Sequence, residues 1–348
     1  MQAMQENNLK PVGVLGGGIM GAGIAAAFLR KNVPVIVYDI APNAREMVER
    51  NLRREDVSGA AFTDTLSDLS SCRLIIESVI EKAEVKQALL QQVEALVSPD
   101  CIIGTNTSTI PIGSLSPVLK KPDRFCGIHF LHPVKNRKLT ELVRGWQTAE
   151  STLIQVDEIL KQIGQIPLWV QDCPGFVVNR LLQPYLNHAL VLLQEGASME
   201  QIDQAAVNFG MAWGPIKTMD EIGIDTTFNA GRVLYSAFPD RISVSPILVS
   251  MYKSKCWGVK SGQGFRVWDG SPRNGKAEKW KMWVEEKKFF SEKEIILRLI
   301  RPMWEEGQRI LEEKIVDSPA KIRIAACDGL AFPKEKGKIF TFSNFQLE

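Results

Sequence analysis

The chain predicts an α/β domain built on a largely parallel sheet, followed by an all-helical region in which one helical unit occurs twice. Three observations lead there. Near the N-terminus a β-branched run breaks into glycines and continues as an alanine-rich helical stretch. Up to residue 170 short apolar runs alternate with amphipathic helical segments. Beyond residue 175 helical periodicity takes over, and part of it repeats.

The first element is Val12-Gly13-Val14-Leu15, a strand that ends in the spacing Gly16-x-Gly18-x-x-Gly21. A strand, a tight glycine turn and a helix together form a dinucleotide-binding unit: one glycine for the turn, one for close backbone approach to a pyrophosphate, one for helix packing. The helix N-terminus adds unpaired N–H groups and the positive end of its dipole. Gly16, Gly18, Ile19, Met20 and Gly21 are therefore candidate cofactor-binding residues. Glycine spacing alone also fits a flexible loop, so the next strand decides. Val33 to Tyr38 ends in Asp39, 18 residues after Gly21 (39 − 21). A carboxylate there accepts hydrogen bonds from a ribose 2′-OH and repels a 2′-phosphate, which selects NAD over NADP. The first domain reads as a Rossmann-type NAD-binding domain over residues 8–172.

A helical stretch through Glu46–Leu52 and a polar loop follow. Leu74-Ile75-Ile76 is a buried strand closed by Glu77 and Ser78. Lys82 to Val97 reads as a helix whose buried face carries Val85, Leu89, Val93 and Leu96. Further strands are read at Cys101–Gly104, Phe125–Phe130, Leu139–Val143 and Ile166–Val170, with a helix from Thr152 between the last two. Polar residues gather directly after strand ends, where open α/β sheets hold their ligands. The break at Asp172-Cys173-Pro174-Gly175-Phe176 opens a helical domain over 173–269, whose first helix has Leu181, Leu182, Tyr185, Leu186, Ala189, Leu190 and Leu193 on its apolar side. Residues 270–290 read as a connector. Residues 291–348 form the second helical copy: Arg180-Leu181-Leu182-Gln183-Pro184 recurs as Arg298-Leu299-Ile300-Arg301-Pro302, and Leu193-Gln194-Glu195 as Leu311-Glu312-Glu313, both 118 residues on (298 − 180). Gly210-Met211-Ala212-Trp213 matches Gly329-Leu330-Ala331-Phe332. The second copy has Leu297 where the first has Asn179, so that asparagine is not required by the shared fold.

At 348 residues the chain exceeds one ordinary core, and a net charge of +2 with 45% hydrophobic residues argues against a dominant nucleic-acid surface. No run approaches the ~18 apolar residues of a membrane span, and the first residues lack the apolar core of a leader. A cytoplasmic location is expected. The six cysteines are scattered without a CxxC pair, which suggests structural thiols and no metal site.

Among three histidines, His129 ends a strand in the polar layer and has Glu141 twelve residues later on the next strand. A carboxylate beside an imidazole fixes its tautomer and stabilises its protonated form. His188 lies mid-helix among leucines and reads as structural.

Taken together, Gly16–Gly21 with Asp39, Asn106-Thr107-Ser108, His129-Phe130-Leu131-His132-Pro133-Val134, Lys138–Val143, Pro174–Arg180, Trp213-Gly214-Pro215, Gly223-Ile224-Asp225 and Gly262-Gln263-Gly264-Phe265 resemble the L-3-hydroxyacyl-CoA dehydrogenases over nearly the whole chain. With its doubled helical unit the chain is most similar to the dehydrogenase part of multifunctional fatty-acid oxidation proteins, without their hydratase domain. The resemblance implies His129 as base, Glu141 as its partner, Ser108 and Asn179 on the substrate oxygen, and Glu81, Lys86 and Asn106 near the nicotinamide cofactor. It implies NAD as cofactor, an acyl-CoA substrate, and a separate hydratase or thiolase as the class of partner. Single-unit relatives pair through their helical domains, so the duplicate implies a monomer with an internal pseudo-dimer. Two positions depart from the pattern. His132 stands where the family commonly has Asn, and the segment 40–73 is shorter than the helical hairpin that usually helps to hold CoA.

The reading that follows is NAD-dependent oxidation of L-3-hydroxyacyl-CoA to 3-ketoacyl-CoA, of the β-oxidation type. A free 3-hydroxy acid or sugar acid is the alternative substrate, favoured by the short segment. A non-catalytic NAD-binding sensor is the alternative of another class, and the intact Ser108, His129, Glu141 and Asn179 set argues against it.

Overall fold

The computed structural model describes residues 10–268, 270 and 278–345. Part of the expected connector, residues 271–277, lies outside the described residues, as do residues 1–9, 269 and 346–348. The chain forms two compact units, Met1–Phe176 and Val177–Glu348.

In the first unit the elements are β1 (Val12–Leu15), α1 (Ile19–Leu29), β2 (Val35–Tyr38), α2 (Ala44–Arg54), β3 (Ala61–Thr63), β4 (Leu74–Glu77), α3 (Ala83–Leu96), β5 (Ile102–Thr105), the single turn α4 (Ile112–Leu115), β6 (Phe125–Phe130), β7 (Leu139–Arg144), α5 (Glu150–Gln162) and β8 (Ile166–Gln171). The eight strands form one sheet in the order β3-β2-β1-β4-β5-β6-β7-β8. All neighbours are parallel except β6 and β7. The chain winds outward from β1 on one side and from β4 on the other, so a crevice opens at the carboxyl ends of β1 and β4, the switch point of a doubly wound sheet. β1, β4 and β5 are buried at every position, as strands covered on both faces must be.

Two expectations need correction. The segment 40–73 is not a helix and a polar loop alone: it also holds β3, which pairs Ile36 with Ala61 and Tyr38 with Thr63 at the sheet edge. Three partly exposed residues are too few to show a period, so only the pairing reveals this strand. The buried side of α3 carries Lys86, Leu90, Val93 and Glu94, whereas Val85 and Leu96 are exposed. The apolar pattern misled because a lysine takes one of the buried positions, paired there with Glu77 and Glu81.

The second unit contains α6 (Val178–Gln194), α7 (Met199–Phe209), α8 (Pro215–Ile222), α9 (Ile224–Ala237), α10 (Pro246–Lys253), α11 (Glu292–Glu312) and α12 (Pro319–Ile324). The longest helices, α6 and α11, pack on each other. The first contributes Leu181, Tyr185, Leu186, Ala189 and Leu190 to the buried interior, and the second Leu299, Ile300, Met303 and Ile310.

Candidate active site

The glycine turn is built as its spacing requires. Gly16 has φ +96°, and a Cβ on it would lie 2.6 Å from the Ser78 carbonyl oxygen. A Cβ on Gly21 would lie 1.8 Å from the Gly16 carbonyl oxygen, so only glycine lets α1 start this close to the turn. Gly18 is different: a Cβ there would meet nothing within 4 Å. The protein leaves that side of the loop open, which is where a ligand's pyrophosphate has to approach. Ile19, the first residue of α1, is exposed beside it, and Met20 is half-buried.

Asp39 follows β2 and ties that strand end to the turn. Its Oδ2 accepts from Gly17 N at 2.7 Å and its Oδ1 from Ala41 N at 2.8 Å. A carboxylate has about four acceptor sites, so capacity for a ribose hydroxyl remains. The glycine cradle and this carboxylate fit a dinucleotide with a free 2′-OH.

At the end of β4 Glu77 is fully buried. Its Oε1 accepts from Lys86 Nζ and Val79 N, both at 2.7 Å, and its Oε2 from Thr105 Oγ1 at 2.6 Å. Lys86 is 1% exposed and also lies 3.3 Å from Glu81 Oε2. It turns inward, between Glu77 and Glu81. Glu81 in turn gathers the loop after β5: Oε1 accepts from Thr107 Oγ1 at 2.7 Å, Ser108 N at 2.9 Å and Thr109 N at 3.1 Å. Partial desolvation pushes the Glu81 carboxyl up, but the Lys86 charge and these hydrogen bonds outweigh it and hold it below the ordinary carboxylate range. Ser108 is thus set in place by a carboxylate 27 residues away. Asn106 bridges neighbouring strand ends, accepting from Phe130 N at 2.8 Å and donating to Ser78 Oγ at 3.3 Å.

His129 and Glu141 are direct partners across the antiparallel β6–β7 pair. His129 Nδ1 lies 2.7 Å from Glu141 Oε2, with the side chains 5% and 0% exposed. The carboxylate accepts, so Nδ1 carries the hydrogen and Nε2 is the basic nitrogen. The imidazole also packs against the Phe176 ring, 5.7 Å between centroids. His132, by contrast, is exposed.

Asn179 belongs to the second unit, in the first turn of α6. His188 is half-buried farther along that helix. All six cysteines are buried, and burial pushes the Cys72, Cys101 and Cys126 thiols up to about 12, far from a reactive thiolate.

The geometry therefore joins the glycine turn with Asp39, Glu81 with Lys86 and Ser108, Asn106 with β6, and His129 with Glu141. Sequence reasoning missed Glu77, Thr105 and Thr107, which hold the others. Only the place of Glu77 at a strand end signalled it.

Two family profiles match the chain. One, described as 3-hydroxyacyl-CoA dehydrogenase, NAD binding domain, covers residues 11–173, and the other, 3-hydroxyacyl-CoA dehydrogenase, C-terminal domain, covers residues 175–268. Among solved structures, FadB2 of M. tuberculosis is 33% identical with a TM-score of 0.71, over 74% of this chain and 99% of that one. The (S)-3-hydroxybutyryl-CoA dehydrogenase PaaH1 of Ralstonia eutropha is also 33% identical, with a TM-score of 0.67, over 75% of this chain and 99% of its own. The dehydrogenase part of multifunctional enzyme 1 from C. elegans is 26% identical, with a TM-score of 0.65, over 93% of this chain and 79% of that one. Among the described residues no helix is long and apolar enough to cross a membrane.

Proposed function

The chain belongs to the 3-hydroxyacyl-CoA dehydrogenase family, and on that premise we propose that it oxidises L-3-hydroxyacyl-CoA to 3-ketoacyl-CoA with NAD+, as in β-oxidation. The observation that carries this reading is the buried His129–Glu141 pair, 2.7 Å apart, at the carboxyl end of β6. Oxidising a secondary alcohol requires a base for the hydroxyl proton, donors for the oxygen that becomes a carbonyl, and a hydride acceptor. NAD+ held on Gly16, Gly18, Ile19, Met20 and Gly21, with its ribose on Asp39, supplies the hydride acceptor when bound.

The protein supplies the rest. His129 Nε2 takes the hydroxyl proton, and the Glu141 carboxylate at Nδ1 stabilises the imidazolium that results. The Ser108 hydroxyl and the Asn179 amide donate to the substrate oxygen. Glu81 keeps the Ser108 loop in place, Lys86 balances the charge of Glu81 and Glu77, and Asn106 holds the strand end beside the nicotinamide.

The test is NADH absorbance with 3-hydroxybutyryl-CoA, a longer 3-hydroxyacyl-CoA and free 3-hydroxybutyrate. Turnover of the thioesters and none of the free acid is expected. Turnover of the free acid alone overturns the thioester reading, and NAD+ binding with no turnover of any alcohol overturns the enzymatic one.

A further inference from the structure

The repeat makes positions 180 and 298 equivalent, and likewise 195 and 313. In the fold Arg180 pairs with Glu313, Nη1 to Oε2 at 2.6 Å, while Arg298 pairs with Glu195 at 2.6 Å. Each arginine thus binds the glutamate of the other copy, the exchange expected of a two-fold contact.

The two contacts are not alike. Arg180 is 1% exposed and has a second carboxylate, donating from Nε to Glu306 Oε1 at 2.7 Å, with Nη2 2.5 Å from the same oxygen. Its guanidinium lies over the Phe238 ring, and the far oxygen of Glu313 takes Arg241 Nη1 at 2.6 Å. Arg298 is 25% exposed, its single carboxylate is 37% exposed, and the position equivalent to Glu306 is His188 (306 − 118). The buried, doubled version therefore stands beside Asn179. The open, single version stands beside Leu297.

Burying a guanidinium with the Glu306 carboxylate is costly, and joining the copies does not require it, since the more exposed pair makes the same connection. The cluster sits in the first turn of α6, on the residue after Asn179. Consecutive helical residues project about 100° apart, so clamping Arg180 also fixes the rotation of the turn that carries Asn179.

We propose that Glu306 and Glu313 of the second helical copy are positioning residues: through Arg180 they set the amide of Asn179 for the substrate oxygen. The duplicate serves the site with carboxylates although it has lost the site's asparagine. This rests on the role given to Asn179 above.

Arg180→Lys, Glu306→Gln and Glu313→Gln test it, against the reciprocal Arg298→Lys and Glu195→Gln. Lysine keeps the charge but not the fork that reaches two carboxylates. The first three variants are expected to lose kcat with 3-hydroxybutyryl-CoA, on the order of 10²-fold for a displacement near 1 Å, while NADH affinity stays unchanged. The reciprocal variants are expected to keep the wild-type kcat while lowering the thermal midpoint. Amide hydrogen exchange at residues 178–182 reads the positioning without any substrate and is expected to quicken in the first set alone. Equal kcat loss in both sets, or exchange at 178–182 that stays at the wild-type rate in Glu306→Gln and Glu313→Gln, overturns the proposal. An inactive wild type with exchange that does quicken counts against the proposed reaction and leaves the clamp standing.

Discussion

His129 and Glu141 face each other directly across two antiparallel strands, with Nδ1 2.7 Å from Oε2 and both side chains buried. Opposed residues on such strands have Cβ atoms about 4.5–5.5 Å apart, so the pairing register itself brings imidazole and carboxylate into hydrogen-bond reach.

His129→Gln is expected to reduce kcat by about 10² to 10⁴-fold, the usual contribution of a general base, and to leave NADH binding unchanged. His132→Asn restores the residue common in the family at an exposed position and is expected to keep substantial activity. Steady-state rates and NADH fluorescence titration check both. A wild-type rate in His129→Gln would take the base role from His129, and total loss in His132→Asn would give it to His132.

Asp39→Ala is expected to weaken NAD+ binding and to narrow its preference over NADP+. The change removes the proposed ribose acceptor, the charge that repels a 2′-phosphate, and the hydrogen bonds to Gly17 N and Ala41 N. Separate dissociation constants for the two cofactors measure it, and an unchanged ratio takes Asp39 out of the ribose site.

Glu81 yields a pH dependence with a definite sign. Its carboxyl is held below the ordinary value of 4.5, so the stability it lends is fully present above that value and declines as pH falls through its lower folded value. Glu81→Gln is expected to unfold at a lower temperature than the wild type at neutral pH, with the difference shrinking in acid. Scanning calorimetry across that range checks it, and a gap that widens on acidification contradicts the ion pair with Lys86.

The reciprocal arginine pairs and the packing of α6 on α11 are the observations behind the prediction that the chain is a monomer, with the second copy in the place of a partner subunit. Light scattering is expected to give a mass near 38.8 kDa for the full chain. Removal of residues 291–348 is expected to expose Leu186 and Leu190 and to produce aggregates or a new dimer. A stable dimer of the full chain joined through these helices refutes the internal pairing.

Much of this protein is legible in one dimension because the signals are local. A strand running into Gly16-x-Gly18-x-x-Gly21, with Asp39 at the end of the next strand, specifies a turn whose sterics depend on its own backbone. Strands buried on both faces announce themselves as continuous apolar runs, and the helical duplication shows in residue identities at a fixed offset. Pairing of buried charge is not legible in that way. Lys86 is buried in a helix whose apolar pattern does not include it, because Glu77 and Glu81 neutralise it. Arg180 is held by Glu306 and Glu313, 126 and 133 residues away, which no local pattern announces. The edge strand β3 exists only by pairing with β2, and the antiparallel direction of β7 is set by the sheet it joins. Sequence pattern decides what a segment can form, whereas burying a charge depends on which opposite charge the fold brings beside it, and that choice belongs to the tertiary structure alone.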